Sequence, residues 1–266
     1  MAVLYFFAAH PVFSREEFLR FLAGRGATSA ETANSHLRRY LAAGRIGRVK
    51  RGVFFAAGPG ETAGNAPLDF LLVASRLAPD AVLAYHTALE AHGHAQSIFE
   101  RLYFLTETKN KPLKFRGRSL VPVVPPASLR RRKKSFILCG EVERRGLPCR
   151  VTTLERTLVD VLDRPDLAGG LEEGWRSVAG VPLFDLEAVL GYVRLRGQAN
   201  LAAKVGFFLE QRREALGVRD EVLARLRRMR PAQLQYLDRR LGGRVAPGWN
   251  LIVPAPILAG EWEAAA

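Results

Sequence analysis

Residues 28–55 constrain the fold more than any other part of this chain. A run with helical periodicity is followed by a glycine at Gly44 and by two short β-like runs on either side of Lys50-Arg51-Gly52. The apolar residues of the helical run recur at steps of three and four and are Ala30, Ala33, Leu37 and Leu41. Because this spacing places side chains on one face of a helix, that face must pack against other elements. The segment therefore predicts a helix and a basic β-hairpin within a small packed unit.

The residues before this segment predict two further helices. Residues 2–9 are apolar and end at His10-Pro11, and Ser14 and Glu17 have the spacing of a capping box that begins a second helix. Gly24 and Gly26 end that helix. Helix, glycine turn, helix, glycine and basic hairpin in this order are typical of a winged helix-turn-helix. We therefore predict that residues 1–57, the head, form a winged helix-turn-helix DNA-binding domain.

The polar face of the third helix predicts the contacts with DNA. At about 100° per residue, Thr28, Thr32, Ser35 and Arg39 lie opposite the apolar face. Small hydrogen-bonding groups and a guanidinium suit base edges and phosphates in a major groove. The predicted DNA-binding residues, on this helix and near the hairpin tip, are Thr28, Ser29, Thr32, Ser35, His36, Arg38, Arg39, Arg48, Lys50 and Arg51. A solvated helix surface is the alternative interpretation of the same polar face.

The rest of the chain predicts a linker and a larger C-terminal domain. Residues 58–67 are rich in Gly, Ala and Pro and lack apolar periodicity, as an interdomain linker does. Residues 68–266 form what we call the body. Its predicted strands are 101–106, 119–124, 136–139 and 149–152. From residue 153 onward helical runs dominate, including one at 232–241, and a last strand is predicted at 249–253. We expect an α+β fold, with the winged helix-turn-helix followed by an α/β domain that has a small sheet and a helix-rich C-terminal half.

Positive charge is concentrated in two blocks. The formal net charge is +14, which favours polyanionic partners. Residues 1–58 carry nine Lys and Arg against three acidic residues, and residues 107–150 carry thirteen against three. The second block predicts a second basic surface formed by Lys109, Lys111, Lys114, Arg116, Arg118, Arg130, Arg131, Arg132, Lys133 and Lys134. For the five-cation run 130–134, a solvated loop is the alternative.

Motifs of common enzymes and metal sites are absent from the sequence. It contains no phosphate loop, no dinucleotide-binding glycine turn, no nucleophile elbow and no H-E-x-x-H. The two cysteines, Cys139 and Cys149, match neither a disulfide framework nor a zinc spacing. We expect no catalytic residue, no metal and no cofactor. No apolar run reaches the roughly 18 residues of a membrane span, so no membrane segment is expected. Two cysteines without a disulfide framework favour a reducing cytoplasm as the location.

One tripeptide has the pattern of a magnesium-dependent nuclease site. Glu107-Thr108-Lys109 follows a predicted strand, as the Glu-x-Lys of a magnesium nuclease does. Such a site also needs an upstream acid on a neighbouring strand, for which Asp80 and Glu100 are the nearby candidates, neither well placed. A magnesium-dependent nuclease with a winged-helix head is therefore kept as an alternative to a binding protein.

The chain resembles the AbiEi-type antitoxins of type IV, abortive-infection toxin-antitoxin systems. The resemblance is carried by PVFSREEF at 11–18, LRRYLAAGRIGRVKRGVFF at 37–55, AYHTALEAHG at 84–93, VTTLERTLVDVL at 151–162 and NLAAKVGFFLE at 200–210.

This resemblance implies a two-domain bacterial regulator without catalytic activity. In such antitoxins the winged head binds repeats in the promoter of its own operon and represses it, and the body counteracts a nucleotidyltransferase-like toxin. The implied partners are double-stranded DNA and a toxin encoded next door. A plain transcription factor whose body senses a ligand or dimerises is the third interpretation of the sequence.

Overall fold

The computed structural model describes residues 2–26 and 29–262. Its α-helices are α1 (Ala2–Ala9), α2 (Arg15–Ala23), α3 (Ala30–Ala42), α4 (Phe70–Ser75), α5 (His86–His92), α6 (Ala127–Arg131), α7 (Leu154–Asp163), α8 (Leu171–Ala179), α9 (Leu186–Arg196), α10 (Ala199–Gln211), α11 (Asp220–Arg227) and α12 (Ala255–Leu258). Its strands are β1 (Val12–Ser14), β2 (Ile46–Lys50), β3 (Val53–Ala56), β4 (Val82–Leu83), β5 (Arg101–Leu105), β6 (Leu113–Phe115), β7 (Arg118–Val123), β8 (Cys139–Arg144), β9 (Leu147–Thr152), β10 (Gln235–Tyr236), β11 (Arg244–Ala246) and β12 (Leu251–Val253). The fold is a mixed α+β fold, as predicted.

Within residues 2–26 and 29–57, the head contains three helices and a three-stranded antiparallel sheet of order β1-β3-β2. The predicted capping box begins α2: the Glu17 amide donates to Ser14 Oγ at 3.1 Å, and the Ser14 amide donates to Glu17 Oε2 at 2.6 Å. Ser29 caps α3 by accepting from the Glu31 amide. β1 was not predicted, because three residues are too few to show an alternating pattern.

The two faces of the head's sheet pack against different parts of the molecule. Phe13, Ile46 and Phe54 pack with α1, α2 and α3. The opposite face joins the body in what we call the junction core, which includes Val12, Val49, Val53 and Phe55 of the head and Leu71, Leu72, Val73, Phe104 and Val151 of the body. Gly47 is required here, because a Cβ at this position would lie 2.1 Å from the Phe55 ring. The run Val53-Phe54-Phe55 is apolar throughout because both of its faces are buried.

Residues 58–67, predicted as a linker, contain no helix or strand but are fixed to both neighbours. The Ala63 amide donates to the Gly44 carbonyl of the head at 2.8 Å. From the body, the Arg116 guanidinium donates to the carbonyls of Ala63, Gly64 and Ala66. Ala66 itself is buried in the junction core. The segment therefore connects head and body as a packed turn.

The body is organised around a six-stranded mixed sheet of order β6-β7-β5-β4-β9-β8. The pairs β7–β5 and β4–β9 are parallel, and the other neighbours are antiparallel. Alternate residues of β5 enter different cores: Leu102 and Phe104 face the junction core, whereas Tyr103 and Leu105 pack with Tyr85 and Val123 on the other side. Residues 136–138, predicted to begin a strand, lie outside the sheet, and β8 begins at Cys139.

The C-terminal half is helical, as predicted, and surrounds the buried ring of Trp175. Helices α7 to α11 form one apolar core in which Trp175 contacts Phe208 at a ring-centroid distance of 5.1 Å. The predicted helix at 232–241 is wrong: β10 runs parallel to β12, and β11 closes a three-stranded sheet of order β10-β12-β11. Pairing with β12 provides hydrogen-bond partners for the backbone of β10. It also places Leu237 in the same buried core as Trp249 and Leu251.

No helix within residues 2–26 and 29–262 is both long and apolar enough to cross a membrane. The longest helices, α3 and α10, have 13 residues each.

Candidate nucleic-acid interface

Helix α3 presents a broad polar stripe to solvent. Asn34, Ser35, Arg38 and Arg39 are exposed and form what we call the reading surface, whereas Ala33 and Leu37 are buried. Of the predicted residues, Thr32 is only half-exposed, Ser29 is used as the helix cap, and Thr28 lies outside the described residues. The exposed face is therefore rotated toward Asn34 and Arg38 from the face that the sequence predicted.

Two side chains of this helix are positioned by contacts within the head. The Arg39 guanidinium donates to Tyr40 Oη at 2.9 Å and lies 4.7 Å from the centre of the Tyr40 ring. His36 is half-buried, with its ring 6.4 Å from Phe18 and 6.4 Å from Tyr40. His36 thus contributes mainly to packing, and Arg39 is extended along an aromatic surface.

Sequence reasoning missed Asn34 and its partner on α2. Arg15 donates through Nε and Nη2 to Asn34 Oδ1, at 3.2 and 3.1 Å. Arg15 therefore fixes the rotamer of an exposed amide on the reading surface. The available signal was spacing, because Asn34 precedes Arg38 by four residues and so lies on the same helix face.

The β2–β3 hairpin presents two of its three predicted cations. Arg48 and Arg51 are exposed, and the Arg48 guanidinium lies 5.8 Å from the centre of the Phe54 ring. Lys50 points elsewhere: its ammonium donates to the Leu77 carbonyl at 2.6 Å and to Asn110 Oδ1 at 2.8 Å, both in the body. Burial lowers the pKa of Lys50 from its ordinary value. Lys50, predicted as a DNA-binding residue, thus joins head to body through these two contacts.

The predicted second basic surface divides into structural and free cations. Arg116 binds residues 63–66, Arg118 donates to the Phe99 carbonyl at 2.6 Å, and Arg130 Nε donates to the Pro125 carbonyl at 3.1 Å. The guanidinium groups of Arg116 and Arg118 donate to backbone carbonyls. These two residues therefore stabilise the fold instead of contributing to the predicted second basic surface. The exposed cations whose side chains form no hydrogen bond or ion pair with other described residues are Lys109, Lys111, Lys114, Arg131, Arg132, Lys133 and Lys134.

The loop after β5 connects the two basic blocks in space. Asn110 of this loop accepts from Lys50 of the hairpin, and Glu107 Oε1 accepts from Ser135 Oγ at 2.6 Å. Because Asn110 is only three positions after Glu107, this stretch spans at most about 10 Å. Lys109 therefore lies between the hairpin and the basic run 130–134, and Lys111 directly follows the Asn110 that contacts the hairpin.

The backbone of the Glu107-Thr108-Lys109 tripeptide is hydrogen-bonded to the carboxylate of Asp80. Asp80 Oδ1 accepts from Thr106 Oγ1 at 2.5 Å, and Asp80 Oδ2 accepts from the amides of Glu107 and Thr108 at 2.7 and 3.2 Å. Burial raises the pKa of Asp80, but these hydrogen bonds outweigh burial and the pKa lies below its ordinary value. Across the described ranges, no group of three or more His, Cys, Asp and Glu side chains is placed to hold a metal ion.

A buried charge network lies beneath the basic run. Arg156 of α7 is fully buried and donates through Nη1 to the carbonyls of Ser135 and Ile137, at 2.9 and 2.7 Å. Asp160, 1% exposed, accepts from Arg156 Nε at 3.2 Å and from Arg196 Nη1 at 2.7 Å. Through Arg156, the stretch 151–162 therefore holds the backbone of residues 135–137, which directly follow the basic run 130–134.

Comparison with known proteins shows a similarity in fold. No family model matches the sequence, and no curated protein matches it. A solved structure described as the RV2827C protein from Mycobacterium tuberculosis is similar, with a TM-score of 0.59 and 18% sequence identity, over 97% of this chain and 92% of that chain. The chain therefore shares its overall fold, head and body together, with this mycobacterial protein.

Proposed function

We propose that this protein binds double-stranded DNA through its head, as a winged helix-turn-helix, with α3 in the major groove and the β2–β3 hairpin as the wing. The observation that carries the proposal is the exposed polar stripe of α3, next to a hairpin that presents Arg48 and Arg51. The major groove admits an α-helix, and Arg, Asn and Ser side chains bond to base edges there.

The exposed cations have different roles in this proposal. Arg38 and Arg39 follow Asn34 and Ser35 on the helix, so they reach base edges or the flanking phosphates. Arg48 and Arg51 contact phosphates, which position the protein without reading sequence. Lys109 and Lys111, next to the hairpin through the Lys50–Asn110 contact, extend the phosphate contacts onto the body.

Quantitative binding to the region upstream of the protein's own gene tests this proposal. For Arg48→Gln/Arg51→Gln, the slope of log affinity against log salt should fall by about 1.8, since each phosphate contact contributes roughly 0.9. For Arg38→Gln/Arg39→Gln, affinity for the upstream region should fall more than affinity for random duplex. Arg239→Gln/Arg244→Gln, which removes two exposed cations near the C-terminal sheet, is the matched control. Absence of footprinting protection by the wild type at low salt would refute DNA binding.

We further propose that the protein is a cytoplasmic, non-catalytic autorepressor and antitoxin of the AbiEi type, whose body counteracts a nucleotidyltransferase-like toxin encoded next door. The support is the resemblance over five stretches that span head and body; one of them includes Arg38 and Arg39 of the reading surface, and another includes Arg156 and Asp160. Co-expression with the neighbouring gene tests this part. Rescue of growth is expected from the full chain, and a harmless neighbour, or toxicity unchanged by co-expression, would remove the antitoxin assignment.

A transcription factor with a ligand-sensing body is the second candidate. The observation that favours it is a cleft of about 480 Å³ in the body, beside the basic run.

A further inference from the structure

A cleft in the body combines cations with an apolar wall. It lies between the loop that follows β5 and the segment that follows α6, and its volume is about 480 Å³. We call it the basic cleft, and its lining residues are Glu107, Arg130, Lys133, Lys134, Ser135, Phe136 and Ile137. Ligand pockets of proteins usually occupy about 300–1,000 Å³.

The cations of the basic cleft are free to bind an anion. Lys133 and Lys134 are exposed and have no acidic partner among the described residues. Arg130 uses Nε to bond the Pro125 carbonyl, which orients its terminal amino groups without engaging them. The one lining carboxylate, Glu107, already accepts from Ser135 Oγ. Three cations and one occupied carboxylate favour a ligand with more than one negative charge.

The backbone of the basic cleft is held in place before any ligand arrives. Arg156 bonds the carbonyls of Ser135 and Ile137 from beneath. The Lys134 amide donates to the carbonyl of Leu129, a residue that is fully buried. Lys133 has a φ of 54°, in the left-handed region that costs a non-glycine residue energy. A site whose backbone is already ordered loses less entropy on binding.

Phe136 and Ile137 form an apolar wall of the basic cleft that suits a flat group. Phe136 and Ile137 are half-buried, and the Arg150 guanidinium lies 5.2 Å from the centre of the Phe136 ring. Aromatic side chains bind bases by stacking, and the second carboxylate oxygen of Glu107 can accept from a ribose hydroxyl or a base amino group. An inorganic anion would leave most of the volume empty, and a duplex backbone would gain nothing from the apolar wall.

We propose that the basic cleft binds a free nucleotide, with its phosphates on Arg130, Lys133 and Lys134 and its base against Phe136 and Ile137. This site is separate from the proposed DNA-binding head and makes the body a receptor for a small phosphorylated ligand.

Calorimetric titration of the full chain with ATP, and separately with inorganic tripolyphosphate, tests the proposal. ATP should bind more tightly than tripolyphosphate, because only ATP contacts the apolar wall. Lys133→Gln/Lys134→Gln should weaken ATP binding at least about tenfold, since two charge-assisted contacts are lost. Arg239→Gln/Arg244→Gln, with the same change in charge, should leave it within about twofold. Tryptophan-detected unfolding of each variant confirms that the fold is intact.

Three results would overturn the nucleotide site: no binding of ATP by the wild type, equal affinity for ATP and tripolyphosphate, or displacement of ATP by a 20-base-pair duplex. The last would assign the cleft to nucleic-acid backbone. Arg48→Gln/Arg51→Gln separates this proposal from the proposed function, because it should weaken DNA binding and leave ATP binding unchanged. ATP binding without DNA binding would refute the head's role alone.

Discussion

At the scale of single residues, Asp160 is the group on which the buried charges depend. It accepts hydrogen bonds from Arg156, Tyr192 and Arg196, which come from two different helices. Burial raises the pKa of Tyr192, and the neighbouring Asp160 raises it further, so the phenol stays a donor. A carboxylate is needed at this position because two buried guanidinium groups face it.

Substitution of Asp160 should therefore destabilise the protein strongly. Asp160→Asn leaves the buried Arg156 without a counter-charge and Arg196 with Asp163 as its remaining acidic partner, and we expect the free energy of unfolding to fall by about 3–5 kcal/mol. Urea unfolding monitored by tryptophan fluorescence measures this change. Glu172→Gln is the control, because its partner Arg176 is solvent-accessible and the pair should contribute less than about 1 kcal/mol. A loss below 1 kcal/mol for Asp160→Asn would show that the network is not a stabilising unit.

At the scale of elements, the start of α2 links a helix cap to the body. Glu17 Oε2 closes the capping box, while Glu17 Oε1 lies 2.9 Å from Arg76 Nε, just beyond the end of α4. Both contacts are partly shielded from solvent, with side-chain exposures of 12% for Arg76 and 20% for Glu17. One carboxylate thus orders the first turn of a head helix and ties that turn to the body.

Two substitutions separate these roles. Ser14→Ala removes one capping hydrogen bond and should lower the free energy of unfolding by about 1 kcal/mol. Glu17→Gln weakens the cap and also the contact with Arg76, so its cost should be larger. In the background Arg76→Gln, the excess cost of Glu17→Gln should disappear. Thermal unfolding of the four variants measures these differences, and equal costs for Ser14→Ala and Glu17→Gln would mean that the Arg76 contact contributes nothing.

Elements with strong local signals were predictable from sequence, and those set by distant contacts were not. The capping box at Ser14, the apolar face with Ala33 and Leu37, and the start of α7 at Thr153 agree with the structure. The strand β10 was missed because its pairing partner, β12, lies about fifteen residues further along the chain. Of the predicted site, the exposure of Arg38, Arg39, Arg48 and Arg51 follows from periodicity. The direction of Lys50 does not, since it is set by Leu77 and Asn110.

At the scale of the whole molecule, head and body share the junction core and should unfold together. The three tryptophans, Trp175, Trp249 and Trp262, all lie in the C-terminal half, so their fluorescence reports on the body alone. Phe55 packs in the junction core, and its neighbour Phe54 packs in the separate core of the head, with Phe13 and Ile46 of the sheet and with the head's helices. These adjacent residues form a matched pair for testing cooperation between the two parts.

Truncation of either ring should shift the tryptophan-detected transition if the chain is one cooperative unit. We expect Phe54→Ala and Phe55→Ala each to cost about 3–5 kcal/mol, because both rings are almost completely buried. Urea unfolding followed by fluorescence and, in parallel, by far-ultraviolet circular dichroism measures the transitions. If Phe54→Ala leaves the fluorescence transition unchanged while the dichroism signal divides into two steps, the head unfolds independently.

The double-sided burial of the head's sheet also limits how this protein can be recombined with others. A chimera that carries residues 1–57 alone would expose Val12, Val53 and Phe55 to water, and such apolar strand faces promote aggregation. The proposed DNA specificity should therefore be altered by replacing the reading surface on α3 within an intact chain. A transplanted head would lack the cover that Phe115 and Arg116 of the body give to the Phe55 ring on its inner face.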